Sequence, residues 1–176
     1  MAKKTWDPDW EGLARDLGLL TSGGESGGSS AAKEAIVRII GEQRLRDAVD
    51  FYVGRQPGSE LVRSVLFVLR PWCAMERCYE IFKSGDQTER VTAVELLRMT
   101  ADARVLPWVA EFLADGSEGV QNWGIDVLDQ LVYCDFIGRK EAEPILRLAL
   151  QHSSAWVREQ ASQIAAVADE KEHGPG

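Results

Sequence analysis

The sequence predicts an all-α fold, because apolar residues recur at intervals of three and four through most of its 176 residues. Glycine, proline, serine and aspartate interrupt this pattern at points where one helix can end and another begin. From residue 31 onward, no stretch has the strict alternation of apolar and polar side chains that is typical of a β-strand. We therefore expect one domain built from short helices.

The first predicted element is an amphipathic helix within residues 1–20. Asp9 is a candidate N-cap for this helix. The apolar residues that follow it at helical spacing are Trp10, Leu13, Leu17 and Leu20. We expect the helix to cap one end of the fold.

A glycine-rich segment, residues 21–30, separates this helix from the rest of the chain. Its sequence, TSGGESGGSS, has no apolar residue, so burial cannot offset the entropy that ordering would cost. We predict a flexible linker. The run ends in Ser29-Ser30-Ala31 and not in the Gly-Lys-Ser/Thr of a phosphate-binding loop, which argues against a nucleotide site.

Nine further helices are predicted in the main domain, residues 31–169. Their ranges are 31–40, 45–53, 59–70, 75–82, 87–100, 105–113, 117–132, 141–150 and 155–167. Polar residues suited to N-caps begin the second helix of successive pairs, and these are Ser59, Asp86, Ser117 and Ser154. The end of the chain, residues 170–176, is predicted to be disordered.

The predicted helix 117–132 has a well-defined packing face. Its stripe consists of Val120, Trp123, Gly124, Val127, Leu128 and Leu131. Because Gly124 has no side chain, we expect a neighbouring helix to approach it closely. The six tryptophans could form an aromatic binding cleft, but Trp123 is expected to pack within the fold.

Residues 90–115, RVTAVELLRMTADARVLPWVAEFLAD, have the pattern of two antiparallel helices joined by a tight corner. The first has Leu96 and Leu97 on its apolar face, and Pro107 begins the second. This segment resembles the short bacterial HEAT-like repeats, and the resemblance extends over residues 31–169. It implies a right-handed α-α superhelix, an α-solenoid of about four to five helix pairs. Such a scaffold hosts many functions, so the resemblance implies architecture more than activity.

The chain is acidic, with 28 Asp and Glu against 20 Lys and Arg and a formal net charge of −8. The excess is concentrated between Arg104 and Arg139, where six acids occur without any Lys, Arg or His. Nucleic-acid binding depends on clustered Lys and Arg, so we expect a basic protein as the partner and no nucleic acid. The alternative is that these acids form an ordinary solvated helix face.

The sequence predicts no membrane segment, metal site, cofactor or catalytic centre. It has no run of about 18 apolar residues and no apolar segment near its start, so a cytoplasmic location is expected. Three cysteines, an odd number, are expected to remain reduced thiols. Two histidines are too few for a zinc site, and His152 is expected to interact with the dipole at the end of the helix 141–150.

The HEAT-like resemblance also selects a candidate binding surface, because stacked pairs present the outward residues of their second helices on the concave face. The residues expected to bind a partner are Phe67, Glu95, Asn122, Ile125, Asp126, Asp129 and Glu159. Phe67 and Ile125 would be apolar anchors, and the carboxylates would attract a basic partner. A register error of one residue would instead place both apolar side chains in the core.

The leading hypothesis is a non-enzymatic protein-binding module. In size, charge and architecture the chain is similar to bacterial immunity proteins, which implies that it binds and blocks a basic partner toxin. A regulatory or assembly adaptor is the alternative. The outline is also similar to HEAT-like DNA glycosylases, which implies a catalytic role for Asp126 or Asp129 beside Trp123, but the basic stripe that would hold DNA is missing.

Overall fold

The computed structural model describes residues 8–173, and ten α-helices account for most of that part of the chain. The predicted all-α fold is therefore confirmed. Residues 1–7 and 174–176 lie outside the described part, and with them the first residues of the predicted capping helix and the last of the predicted tail.

All ten predicted helices are present, and most begin one to three residues earlier or later than expected. The helices are α1 (Trp10–Asp16), α2 (Ser29–Ile40), α3 (Glu42–Val53), α4 (Ser59–Leu69), α5 (Trp72–Ser84), α6 (Gln87–Thr100), α7 (Leu106–Leu113), α8 (Glu118–Tyr133), α9 (Arg139–Leu150) and α10 (Ala155–His173). A short 3-10 turn, Ala103–Val105, precedes α7.

A short β-hairpin begins at Leu20, the last residue of the predicted capping helix, and extends into the predicted linker. Strands β1 (Leu20–Thr21) and β2 (Gly24–Glu25) pair in antiparallel fashion. The amide of Ser26 also donates to the carbonyl of Leu19 at 2.8 Å. Gly24, with φ of 125°, supplies a backbone conformation that other residues adopt at a cost. Backbone hydrogen bonds therefore hold the start of the linker, although residues 21–30 have no apolar side chain to bury.

The predicted tail begins inside α10, which remains helical to His173. Lys171 explains part of this extension, because its ammonium group donates to the carbonyls of Val132 and Tyr133 at 3.0 and 2.7 Å. It also pairs with Asp135 at 2.7 Å. The carbonyls at the end of α8 have no partner within their own helix, so Lys171 joins the two helix ends.

The helices from α3 onward pack as consecutive pairs: α3 with α4, α5 with α6, α7 with α8, and α9 with α10. The second helices of these pairs also contact one another in chain order, α4 with α6, α6 with α8, and α8 with α10. The core lies between the two rows of helices. Its largest buried side chains include Leu45, Leu66, Leu97, Phe112, Leu128 and Ile164.

Two of the four predicted N-caps are confirmed. Asp86 forms a capping box with Glu89, with both bonds at 2.9 Å, and Ser154 Oγ accepts from the amide of Val157. The prediction for Ser59 is wrong, because Gly58 occupies the N-cap position of α4. Ser117 occupies the N-cap position of α8, but its side chain accepts no capping bond.

Close packing of α7 and α8 fixes the rotation of α8 about its axis. A Cβ atom on Gly124 would lie only 2.6 Å from Cβ of Phe112, so the helices approach through the glycine. The expected role of Gly124 is therefore confirmed. This close approach of the two helices places one broad face of α8 in the core. The opposite face carries polar side chains.

His152 joins the corner between α9 and α10 to the end of α7. Its Nδ1 accepts from the amide of Ser154 at 3.0 Å, and its Nε2 lies 2.9 Å from the carbonyl of Leu113. Because Nδ1 is an acceptor, Nε2 carries the proton and donates to that carbonyl. The expected interaction with the end of its own helix is replaced by one with the end of α7, whose last carbonyls lack helical partners.

We expect Gly124→Ala to lower the free energy of unfolding by about 1–3 kcal/mol, because the new methyl group overlaps Phe112. This is the net loss that remains after the roughly 1 kcal/mol by which alanine otherwise favours a helix interior over glycine. The control is Gly119→Ala in the same helix, whose methyl group would lie 3.0 Å or more from its nearest neighbours, the methyls of Val91, and so overlaps less. Urea denaturation measures both, and equal effects would contradict the close approach.

We expect His152→Ala to lower the free energy of unfolding by about 1–3 kcal/mol, because two backbone groups lose their partner. Thermal and urea denaturation measure this loss. Ser153→Ala, at the exposed neighbouring position, is the control and should change stability little. A His152 variant as stable as the control would show that this link contributes nothing.

Candidate functional site

The seven residues expected to bind a partner all lie on second helices of the packed pairs, α4, α6, α8 and α10. Phe67 and Glu159 are exposed, whereas Glu95, Asn122, Asp126 and Asp129 are half-buried. The structure brings three of them into one line on α8. Glu95 lies on α6, which packs beside α8.

Ile125 is not a surface anchor, because it is 0% exposed. The cause is the environment of α8, which contacts α6, α7, α9 and α10 and therefore buries more than one stripe of side chains. The buried residues of α8 are Val120, Gly124, Ile125, Val127, Leu128, Leu131 and Val132. The alternative of a register error, which would place both apolar side chains in the core, is thus correct for Ile125. It is wrong for Phe67, which remains exposed.

Asn122, Asp126 and Asp129 form the centre of the candidate site, and we call these three residues the acceptor stripe. Their spacing of four and three places them on one face of α8, opposite its buried face. The Oδ1 atom of Asn122 is buried and has no hydrogen-bond partner among the described residues. Buried acceptors are normally satisfied, so this oxygen is an unmet hydrogen-bond acceptor.

Arg98 of α6 is the one cationic side chain that the structure places beside these carboxylates within residues 8–173. Its Nε atom lies 3.8 Å from Oδ2 of Asp126, at the long end of an ion pair. Its guanidinium group also lies 5.7 Å from the ring centre of Trp123. One partly exposed arginine therefore interacts with two carboxylates and with an indole ring.

Burial raises the pKa of Asp126 above its ordinary value, and the charge of Asp129 raises it further. Burial also raises the pKa of Asp129. Arg98 opposes both shifts, but loss of water outweighs its attraction. The two carboxylates have thus given up hydration without gaining enough donors in return, and an incoming cation would stabilise their charged forms.

Phe67 lies on α4, and its ring contacts the guanidinium group of Arg70. The guanidinium carbon of Arg70 is 5.1 Å from the ring centre of Phe67 and 4.6 Å from that of Phe136. Arg70 also donates to the carbonyl of Ala101 at 2.8 Å. The loop after α8 therefore packs its Phe136 against the fold and buries its Ile137.

Glu95 lies beside a small polar cavity between α3, α4 and α6. The cavity has a volume of about 220 Å³ and is lined by Tyr52, Arg55, Gln56, Ser59, Glu60, Thr92 and Glu95. Burial raises the pKa of the Tyr52 hydroxyl, and the negative charge of Glu95 adds to this shift. The sequence did not reveal this cavity, because its lining comes from three separate helices.

The described residues hold no group of three His, Cys, Asp or Glu side chains arranged to bind a metal ion. Cys73 and Cys78 are buried free thiols, and burial raises the pKa of Cys78 far above its ordinary value. Such a thiol is a poor nucleophile. Among residues 8–173, none of the helices has the length and apolar character needed to cross a bilayer.

Comparison with known proteins adds no relative. No protein family, curated protein or solved structure matches this chain.

We expect Asp129→Asn to raise the free energy of unfolding at pH 7. Because the pKa of Asp129 is raised on folding, its contribution to stability is present below the unfolded pKa and lost as pH rises through the folded pKa. The advantage of the variant should disappear near pH 3, below the roughly 3.9 of an unfolded aspartate.

Urea denaturation between pH 3 and 8 measures this dependence, because the range begins below the pKa of an ordinary aspartate, about 3.9. Glu159→Gln removes an exposed carboxylate on α10 and is the control, for which no such gain is expected. A loss of stability at pH 7 for Asp129→Asn would show that the charge is well solvated or well paired.

Proposed function

We propose that this chain is a non-enzymatic protein-binding module with HEAT-like architecture. The support for the architecture is the order of helix contacts, in which consecutive helices pair and second helices meet one another along the chain. About four pairs, from α3 to α10, would form an α-solenoid, and α1 and α2 would cover its first end. The second helices would then present the acceptor stripe on the concave face.

The partner that fits this surface is a basic protein. The observation that supports it best is the acceptor stripe, in which two desolvated carboxylates share a single arginine and one buried amide oxygen has no partner. Lysine and arginine side chains carry only donors and a positive charge, which is what these acceptors lack. The surrounding acidic segment would add long-range attraction and speed association.

The most specific form of the proposal is an immunity-type protein that binds and blocks a basic toxin in the cytoplasm. The small size and the charge of −8 support this form. An adaptor that holds a basic protein without inhibiting it would use the same surface. Inhibition of the partner's own activity by the purified chain separates the two.

The test compares three versions of the chain as baits for affinity capture from the native cells. They are the wild type, the variant Asp126→Lys/Asp129→Lys, and the control Asp16→Lys/Asp47→Lys. The control reverses two exposed acids on α1 and α3, so it changes the net charge equally but leaves the acceptor stripe intact. Mass spectrometry identifies proteins that are retained at low salt and released at high salt.

We expect a basic protein to bind the wild type and the control and to be lost from the variant with the reversed stripe. Once identified, it should associate with that variant about tenfold or more slowly at low salt, with a weaker dependence on salt. Equal capture by all three baits would show that the stripe does not bind the partner. Loss from both variants would show that net charge alone attracts it.

A further inference from the structure

Arg98 lies at the acceptor stripe of the free chain, but only weak contacts hold it there. Its Nε atom is 3.8 Å from Oδ2 of Asp126, beyond the roughly 2.7–3.2 Å of a hydrogen bond. Its guanidinium carbon is 5.7 Å from the ring centre of Trp123, close to the outer limit of about 6 Å for a cation–π contact. The side chain is also 41% exposed. A charge in contacts of this kind is weakly bound.

Other arginines of the chain are fixed by closer contacts. Arg104 directs two of its nitrogen atoms at the carboxylate of Asp102, at 2.9 and 2.6 Å. Arg90 donates to the carbonyl of Phe82 at 3.0 Å. Within the described part of the chain, Arg98 makes no hydrogen bond. Its donors are therefore not committed to the fold.

Arg98 can leave the stripe without a change in the backbone. Side chains that are partly exposed change rotamer within nanoseconds. Glu95 lies three positions before Arg98 on α6, a spacing that makes two side chains neighbours on a helix. In the free chain Arg98 pairs with Asp126 and not with Glu95. A displaced Arg98 therefore has a second carboxylate to contact.

A cation from another molecule would meet Arg98 at the same carboxylates. The charge of Arg98 acts on Asp126 and on Asp129, because it lowers the pKa of each, although burial outweighs this effect. Two positive charges a few ångströms apart repel each other. Arg98 thus reduces the attraction that the stripe offers to a basic partner.

We propose that Arg98 is an internal competitor for the acceptor stripe, which occupies the place of the partner's cation in the free chain and leaves it when the partner binds. The inference rests on the proposed function, because it concerns the same stripe. It adds that an arginine of this chain limits the affinity for a basic partner. An arginine that contacted an acidic group of the partner would instead strengthen binding, so the two roles predict opposite effects of its removal.

The test is an NMR titration of the carboxyl carbons of Asp126 and Asp129 with a hexalysine peptide that is blocked at both ends. The titration is done at neutral pH and about 20 mM salt, where screening is weak. We expect Arg98→Gln to bind the peptide about three- to tenfold more tightly than the wild type, because a repulsive charge is removed. The matched control is Arg147→Gln on α9, whose side chain is 71% exposed. It changes the net charge equally and should bind within about twofold of the wild type.

Two further measurements separate the charge of Arg98 from its shape. Arg98→Lys keeps the positive charge, so it should bind the peptide within about twofold of the wild type. In the free chain, Arg98→Gln should raise the pKa values of Asp126 and Asp129 further, because Arg98 lowers both. This second measurement needs no partner.

Wild-type affinity or weaker binding by Arg98→Gln, with clear shifts at both carboxyl carbons, would overturn the competition and leave the proposed binding surface standing. Equal strengthening by Arg147→Gln or by Arg98→Lys would also overturn it, because net charge or side-chain shape would then explain the effect. So would unchanged pKa values in the free Arg98→Gln chain. The absence of any shift at either carboxyl carbon, in the wild type and in Arg98→Gln, would contradict the proposed function and the inference with it.

Discussion

The rotation of α8 about its own axis is the constraint on which the candidate site depends. Gly124 admits Phe112 so closely that no other residue fits there without displacement. With that contact set, the 100° between successive residues determines which side chains face outward. Ile125 enters the core, and Asn122, Asp126 and Asp129 face away from it. Packing and binding chemistry are therefore two consequences of one helix placement.

The acceptor stripe lowers the stability of the folded chain, and this loss supports a functional interpretation. Loss of water raises the pKa values of Asp126 and Asp129, and the arginine that they share does not offset it. Their charged forms therefore reduce stability at neutral pH. Elsewhere the chain pairs its charges more completely, as in the network of Arg77 with Asp50 and Glu80. A surface that gives up stability in this way is typical of a binding site.

Local chemistry made the helices predictable, and contacts between distant segments determined what the sequence did not reveal. Spacing and the Asp86 capping box define α6, whose bounds were predicted without error. The burial of Ile125 depends on four neighbouring helices, which one stripe of residues cannot reveal. Likewise, the ion pair of Arg98 with Asp126 joins residues that are 28 positions apart in the sequence. The extension of α10 depends on the contact of Lys171 with the end of α8. The hairpin before α2 depends on backbone bonds that composition does not encode.

The most direct test of this account is an NMR titration of the carboxyl carbons of Asp126 and Asp129 in the free chain. We expect both groups to titrate above the roughly 3.9 of an ordinary aspartate, with Asp126 also sensitive to the charge of Asp129. Titration of both at or below that value would mean that the carboxylates are solvated or fully paired. In that case an added cation would not be needed to stabilise the charged acceptor stripe, and the proposal of a basic partner would lose its main support.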